Sequence, residues 1–488
     1  MNSLKRQDSK KYIFKVLILC FITSAVAIVP FIINGRGLFT LVLDFNSQQL
    51  PFNIGANESI KQGAVLWDWY ADLGTSFVGA YSFYNLGSPF FWISLLFPSE
   101  AFPYVIGPML ILKYCVAGLT SYAFLSRFVK QKDYAVLGAL LYAFSGFQTG
   151  SLMFNHFHDV VAFFPLMLLG LEMLVSDKKY GIFALSVALN AVVNYFFFVG
   201  EVVFLILYFC FRWLIPEFKT HYKKIPVCLL EGALGLGISA VLFLPSILAT
   251  LSNPKFGQAL TLPGAFTYVS YRYVNLLKAL FLPADLMCDT HDYSTCFVYL
   301  PFVGIALALI YIINNKKSWL TRLLAALAVI ALVPGLNSMF YAGNVSYYAR
   351  WFYMPILMLS LATVIVLDKQ QYKNINLGFL LPLAGTLGMV ILYYTVYGEK
   401  QSSRTRVIFG ENYTSFFIYV VIAAVGIITA YALVRLRKRI KRFSHVMMSL
   451  VMLFAVITMT VNIYTASKNI CRMCRRRRMI LRLTGVMW

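Results

Sequence analysis

Charge is scarce in this chain. Only 12% of its 488 residues are Asp, Glu, Lys or Arg, against 60% hydrophobic, and the mean hydropathy is +0.73. So little charge excludes a water-soluble fold, whose surface must be solvated. Acidic residues are rarer still, 19 against 42 basic ones. The eight cysteines are scattered. Cys20, Cys115, Cys210 and Cys228 lie in or beside apolar runs, where each reads as a small buried hydrophobe. Cys288 and Cys296 share one loop and offer a disulfide. Cys471 and Cys474 form a C-x2-C without the second half that a zinc site needs. Also missing are a repeat of fixed period, a soluble segment large enough to fold alone, and a small-x-small exit after "KVLILCFITSAVAIVPFII". No cleavable signal peptide is therefore expected, and the first helix should remain as an anchor.

What the chain does have is apolar runs of roughly 17 to 25 residues, each able to cross about 30 Å of hydrocarbon. Lipid offers no partner to open backbone groups, so the spans must be helices. The expected fold is an all-α polytopic membrane protein of about thirteen transmembrane helices. They lie near 13–34, 103–126, 134–153, 160–176, 181–198, 200–216, 225–249, 297–313, 319–334, 351–367, 377–396, 413–434 and 443–465. With the N-terminus in the cytoplasm, 25 Lys and Arg fall at internal ends and loops and 9 in the longer external connections up to residue 465. The positive-inside rule favours that orientation. The net charge of +23 then reflects topology and attraction to anionic lipid, with no nucleic acid as partner.

Two long external loops stand out, 35–102 and 250–296. The first contains "VLWDWYADLGTSFVGAYSFYNLGSPFFWISLLF", whose aromatics suit the membrane interface. After residue 465 the chain turns to "CRMCRRRRMILRLTGVMW". The span count places this basic tail, 466–488, outside, against the rule that orients everything else.

Ionisable groups near the outer face are candidate sites, because burying them near lipid is costly. Asp44 follows the first span directly in "LVLDFNSQQLPF", beside Asn46, Gln48 and Gln49. It reads either as a loop carboxylate capping a short helix or as a general base accepting a proton from a hydroxyl at the outer face. "SGFQTGSLMFNHFHDVVAFFPL" crowds Asn155, His156, His158 and Asp159 into a short external turn. Turn chemistry and capping explain these residues, as does hydrogen bonding to a sugar or phosphate with Asp159 as a second carboxylate. H-x-H-D alone lacks the spacing of a metal site. Glu201 in "NYFFFVGEVVF" either begins a helix, where negative charge meets the dipole, or faces substrate. Arg350 in "GNVSYYARWFYMP", flanked by Tyr347, Tyr348 and Trp351, either snorkels to the interface or clamps a lipid phosphate with its planar fork of donors, the reading favoured here. Arg272 in "YVSYRYVNLL" is a weaker second candidate. "CDTHDY", with Asp289, His291 and Asp292, is a polar turn without a second cluster to complete coordination.

Taken together, "LDFNSQQLPF", "SGFQTGSLMF…HDVVAFFPLMLLGLE" and "NVSYYARWFY" resemble the YfhO family of bacterial membrane proteins, which are similar to glycosyltransferases of the GT-C fold. The likeness runs in order and spacing over most of residues 1–465. It implies a GT-C-like bundle over 1–465 and transfer of a sugar from undecaprenyl phosphate, outside the membrane, to an envelope polymer such as lipoteichoic acid. Asp44 matches the acidic residue that GT-C enzymes place in their first external loop. With the residue readings above, the expected catalytic carboxylates are Asp44, which the resemblance supports, and Asp159. Gln48, His156, His158, Glu201, Arg272 and Arg350 would be substrate ligands. The partners would be a polyprenyl-phosphate sugar, an acceptor polymer and the synthase that makes the lipid-linked sugar. No cofactor or metal enters the scheme, and no D-x-D pair lies near Asp44. Members of that family continue beyond the helical bundle, so 466–488 is expected to be a shortened or non-native ending. Two other classes stay open, a lipid or polysaccharide flippase and a non-catalytic scaffold for envelope assembly. A flippase needs polar groups along a mid-membrane path, and here only Glu172, Glu231 and Lys113 offer them.

Overall fold

The computed structural model describes residues 2–71, 73–215, 218, 222–251, 265–268, 270–286, 296–343, 348–397 and 413–484, with side chains between Lys10 and Ser467. Cys288, Asp289, His291, Asp292, Tyr347 and the side chains of Cys471 and Cys474 lie outside the described residues. Among the described residues the regular secondary structure is helical apart from one short two-stranded ladder. Its principal helices are α1 (Asn2–Asn34), α2 (Leu50–Lys61), α3 (Phe102–Leu125), α4 (Lys132–Ala143), α5 (Phe157–Asp177), α6 (Ile182–Val193), α7 (Tyr195–Arg212) and α8 (Ile225–Leu251). They continue as α9 (Ser270–Phe281), α10 (Ala306–Asn314), α11 (Trp319–Leu332), α12 (Tyr353–Asp368), α13 (Ile375–Tyr397), α14 (Tyr413–Leu436) and α15 (Phe443–Thr484).

Among the described residues eight helices are long and apolar enough to cross a membrane. A ninth span results if α11 and Pro334–Tyr341, bent by 102°, count as one. The thirteen expected spans therefore divide into these long helices and several shorter apolar ones. The physical reason is visible at the breaks. α4 has only 12 residues, about 18 Å, because the chain leaves it at Ser145–Gly146 to meet a non-helical stretch before α10. There the Gly146 N–H donates to the Tyr299 carbonyl at 2.7 Å, and a Cβ on Gly146 would lie 3.1 Å from the Tyr299 nitrogen. One close approach thus shortens two of the expected spans, 134–153 and 297–313. Irregular backbone is tolerated at such depth only inside protein, and Phe147, Leu300 and Phe302 around it are fully buried.

A second break separates α6 from α7. Asn194 caps α7, its Oδ1 accepting the N–H groups of Phe196 and Phe197 at 3.1 and 3.3 Å. Its Nδ2 donates to the Phe83 carbonyl at 2.8 Å, so the same side chain ties the first long loop to the bundle.

The two ends of the bundle differ chemically. At one end Lys15 pairs with Asp133 (2.6 Å), Arg127 with Asp177 (2.7 Å) and Arg212 with Glu172 (2.6 Å). Asp368 there accepts the backbone N–H groups of Lys130 and Gln131. The other end carries the long loop 35–102, which folds as α2, a hairpin pairing Trp67 with Ser76 and Asp68 with Thr75, and short turns at Phe77–Tyr81, Ser82–Leu86 and Pro89–Ser94. Buried Asp68 organises the hairpin by accepting from Ser59 Oγ (2.6 Å), Tyr81 OH (2.7 Å) and the Tyr70 N–H (2.8 Å). Trp69, Tyr70 and Leu73 beyond it are exposed.

Gly87 lets this loop reach α6: a Cβ there would stand 1.7 Å from the Val192 carbonyl oxygen. Gly87→Ala is expected to lower stability by about 1–3 kcal/mol in a detergent thermal melt. Gly232→Ala, where nothing lies within 4 Å, serves as the neutral control; equal midpoints for the two would contradict this account.

Candidate functional site

Asp44 is held by its neighbours. After α1 the chain turns through Gly37, at φ +95°, whose N–H returns to the Ile32 carbonyl at 2.8 Å. Leu43 then takes a left-handed conformation, φ +55°, which costs an ordinary side chain about 1 kcal/mol. The Leu43 carbonyl accepts the N–H groups of Asn46 and Ser47, both at 3.0 Å, opening a wide helical turn over Phe45–Gln49 that runs into α2. Leu41, Val42 and Phe45 are buried on both sides, so apolar anchors fix the half-buried carboxylate between them.

Asp44 opens onto a cavity of about 740 Å³. The polar part of its wall is Asp44, Gln48, His156 and Arg350, joined by Tyr84, Tyr195, Tyr341, Tyr348 and Thr250. The apolar part comes from the first turns of α7 (Phe196, Val199), the end of α8 (Ile247) and Phe83, Phe154 and Phe157. The cavity therefore lies where α1 and α8 end and α5, α7 and α12 begin, away from the ion-paired end.

Arg350 enters from the stretch before α12. Trp351 anchors it, stacking on Phe340 with centroids 4.2 Å apart and donating Nε1–H to Asn337 Oδ1 at 2.7 Å. Asn337 Nδ2 and Tyr341 OH both donate to the Tyr348 carbonyl (3.1 and 3.0 Å), so the bend after α11 clamps the arginine strand. The guanidinium sits 3.9 Å from the Tyr348 ring centre and 5.4 Å from that of Phe157, a cation–π arrangement. Its Nε is buried without a hydrogen-bond partner, and no carboxylate pairs with it among the described residues. A half-buried guanidinium facing a cavity without a carboxylate partner is suited to an anion.

His156 precedes α5 and is ringed by aromatics, with Phe83 at 4.8 Å, Tyr84 at 5.3 Å and Phe157 at 4.7 Å between centroids. Its Nδ1 lies 3.0 Å from Gln49 Oε1, so the wide turn that begins at Asp44 also holds the imidazole. Tyr84 stacks on Phe52 (4.3 Å) and its hydroxyl donates to Gln48 Oε1 at 3.3 Å. Burial raises the Asp44 carboxyl above its ordinary range, an effect that the positive charge of Arg350 partly offsets. Burial likewise pushes the His156 imidazole far below its ordinary value, and Arg350, Lys113 and His158 push the same way.

Asp44, Gln48, His156 and Arg350, expected from the sequence, thus share one cavity wall. The other expected residues stand elsewhere. His158 is buried with Nδ1 2.5 Å from Gln148 Oε1. Asp159 is ion-paired with Lys113 at 2.9 Å. Glu201, 1% exposed, accepts the Tyr353 hydroxyl at 2.9 Å. Arg272 has its guanidinium 5.1 Å from the Tyr271 ring centre. None of these four lines the cavity. Sequence reasoning missed Tyr84, Tyr195 and Thr250 as wall residues, because their signals are ordinary aromatic and hydroxyl positions. Gln49 was noticed only as a neighbour of Asp44. Among the described residues no three His, Cys, Asp or Glu side chains are grouped to hold a metal ion.

Comparison with known proteins gives three findings. The sequence profile of the family described as "Bacterial membrane protein YfhO" matches residues 15–477. A protein of Bacillus subtilis (strain 168), described as "Uncharacterized protein YfhO", is 28% identical over 159 residues, covering 30% of this chain and only 18% of that protein's length. Two solved structures are similar at low identity. ArnT from Cupriavidus metallidurans bound to undecaprenyl phosphate matches at a TM-score of 0.46 and 10% identity, covering 93% of this chain and 76% of that one. The mycobacterial arabinofuranosyltransferase AftD matches at 0.35 and 13%, covering 74% and 27%.

The downward shift favours the neutral form of His156 over the range, about pH 5 to 8, where a free imidazole would titrate. Its ¹⁵N resonance, assigned by its loss in His156→Gln, is expected to stay constant over that range. A midpoint near 6.5, the ordinary value, would contradict the buried placement.

Proposed function

The chain belongs to the YfhO family of bacterial membrane proteins, and on that premise we propose that it is a glycosyltransferase. It would move a sugar from a polyprenyl phosphate to an envelope polymer such as lipoteichoic acid. The observation that carries this reading is the cavity shared by Asp44 and Arg350, a carboxylate and an anion-seeking guanidinium beside an aromatic wall. A flippase would instead need polar groups along a path through the membrane. In this reading the N-terminus and the ion-paired end face the cytoplasm and the cavity faces outside, which the positive-inside rule supports, since the short connections on the N-terminal side are rich in Lys and Arg.

The acceptor hydroxyl attacks the anomeric carbon. Its proton passes to a carboxylate oxygen of Asp44, the bond from carbon to the phosphate oxygen breaks, and polyprenyl phosphate leaves with the electron pair. One base suffices and no covalent sugar–enzyme intermediate is formed, so the displacement inverts the anomeric configuration. Arg350 stabilises charge gathering on the departing phosphate, and its half-buried setting among aromatic rings strengthens that effect. Gln48 and His156 hydrogen-bond sugar hydroxyls while Tyr84 and its aromatic neighbours pack on the pyranose faces. The apolar side of the cavity, from Val199 to Ile247, accommodates the first isoprene units. His158, Glu201 and Arg272 lie off the wall and are given no direct contact with substrate. Asp159 acts through the contacts described in the next subsection.

The test incubates purified protein with radiolabelled polyprenyl-phosphate sugars and candidate acceptors. Asp44→Asn is expected to lower kcat by roughly 10²–10⁴-fold. Arg350→Ala is expected to lower it by about 10²–10³-fold. Wild-type turnover at Asp44→Asn would end the general-base assignment, and the absence of transfer from every donor would end the enzyme reading. Because burial raises the Asp44 carboxyl, the rate should rise with pH through a midpoint above about 3.9, and Asp44→Asn should lose that limb. The sign for stability is opposite. A raised folded-state value means the native state holds the proton more tightly than the unfolded chain, so ionising Asp44 destabilises the fold as pH rises through that value. Asp44→Asn should accordingly leave the neutral-pH thermal midpoint unchanged or raised.

A further inference from the structure

Lys113 is absent from the cavity wall and is the one lysine within α3, sealed inside at 1% exposed. It stands eleven residues beyond Phe102, about 16 Å along the helix. A cation so deep in an apolar helix is costly. Packing does not require it, since a buried ion pair is often replaceable by apolar side chains of similar volume without loss of stability. Its contacts suggest what it does instead. The ammonium donates hydrogen bonds to the Asn155 carbonyl at 2.9 Å and to Asn155 Oδ1 at 3.0 Å, and it forms an ion pair with Asp159 Oδ1 at 2.9 Å. Two of these belong to the residue immediately before His156, and one is a backbone oxygen. The third is a carboxylate in the first turn of α5, where the helix dipole also favours negative charge.

His156 is therefore held from two directions. Gln49 grips Nδ1 from the turn that begins at Asp44, and Lys113 grips the backbone beside it from α3. Backbone and side-chain links join the carboxylate to the imidazole and on to the ammonium: Asp44 to Gln49 along one helical turn, Gln49 to His156 at 3.0 Å, and Asn155, the neighbour of His156, to Lys113. Phe90 covers the ammonium, its ring centre 5.5 Å from Nζ.

We propose that Lys113 and Asp159 are positioning residues. The Lys113 ammonium, compensated by Asp159, fixes the turn at Asn155 so that His156 keeps its place in the cavity shared with Asp44. This rests on the reading of that cavity as a glycosyl-transfer site, with His156 as a sugar ligand. It assigns the buried ion pair to the register of sugar against base rather than to proton transfer or fold stability.

The experiment compares full-length wild type, Lys113→Met, Asp159→Leu and the double variant in lipid nanodiscs. Thermal midpoint, steady-state kinetics with a polyprenyl-phosphate sugar, and the ¹⁵N resonance of His156 are the readouts. Each single variant strands one buried charge or its partners, so its midpoint should fall. The double variant should regain the wild-type midpoint while kcat stays at least about tenfold low, KM for the lipid donor changes little, and the His156 resonance is displaced. Recovery of midpoint, kcat and resonance together would overturn the proposal and leave the pair a packing element. If wild type transfers no sugar, the glycosyltransferase reading fails separately, and the His156 resonance alone decides whether the pair positions the ring. Should the double variant not fold, Asn155→Ala decides by the same readouts, because it keeps the ion pair but removes one ligand of the ammonium. A displaced resonance with reduced kcat supports positioning, and wild-type behaviour overturns it.

Discussion

Hydrocarbon contains nothing that hydrogen-bonds an open backbone group, and every departure from helix in this molecule has to meet that constraint. The stretch after α4 meets it by pairing Gly146 with Tyr299 inside the protein. The α6–α7 junction meets it with the Asn194 side chain. The bend after α11 meets it with Asn337 and Tyr341, which together occupy the Tyr348 carbonyl. Such breaks border the cavity: Asn194 lies beside Tyr195 and Phe196, and Tyr348 lies in the wall itself. The places where helices stop are also the places where polar side chains can be presented.

The resulting site keeps its opposite charges unsatisfied by the protein. Arg350 is braced by rings rather than neutralised by a carboxylate, and Asp44 is partly desolvated without a hydrogen-bonded cation. Full pairing would stabilise the resting protein and leave less free energy for substrate, since only interactions strengthened in the transition state accelerate a reaction. The buried Lys113–Asp159 pair shows the contrasting arrangement: two opposite charges sealed inside the protein at 2.9 Å from each other, with the ammonium also bonded to the Asn155 backbone.

Much of this was legible beforehand. Long apolar runs announced α1, α3, α5, α8, α13, α14 and the first part of α15, because each must cover the hydrocarbon with its own hydrogen bonds. Asp44, Gln48, His156 and Arg350 stood out as polar groups at span ends. The span count was less legible. Runs such as 134–153 and 297–313 are apolar because they are buried inside the protein, where α4 and α10 both pack on α12, and hydropathy does not distinguish contact with protein from contact with lipid. The same ambiguity affected individual ionisable groups. His158, Asp159 and Glu201 sit one to a few residues from the wall in sequence, yet helix geometry turns them into the bundle, towards Gln148, Lys113 and Tyr353.

By itself the sequence determined that this chain lives in a membrane as a helical bundle with its polar chemistry gathered at one end, because composition and period alone settle whether water or lipid can surround a segment. Which of those polar groups meet was decided by tertiary structure. Asp44 and Arg350 are separated by some three hundred residues, and Gln49 and His156 by 107. Only the convergence of helix ends around a shared void, set by packing between distant segments, brings them within reach of one ligand.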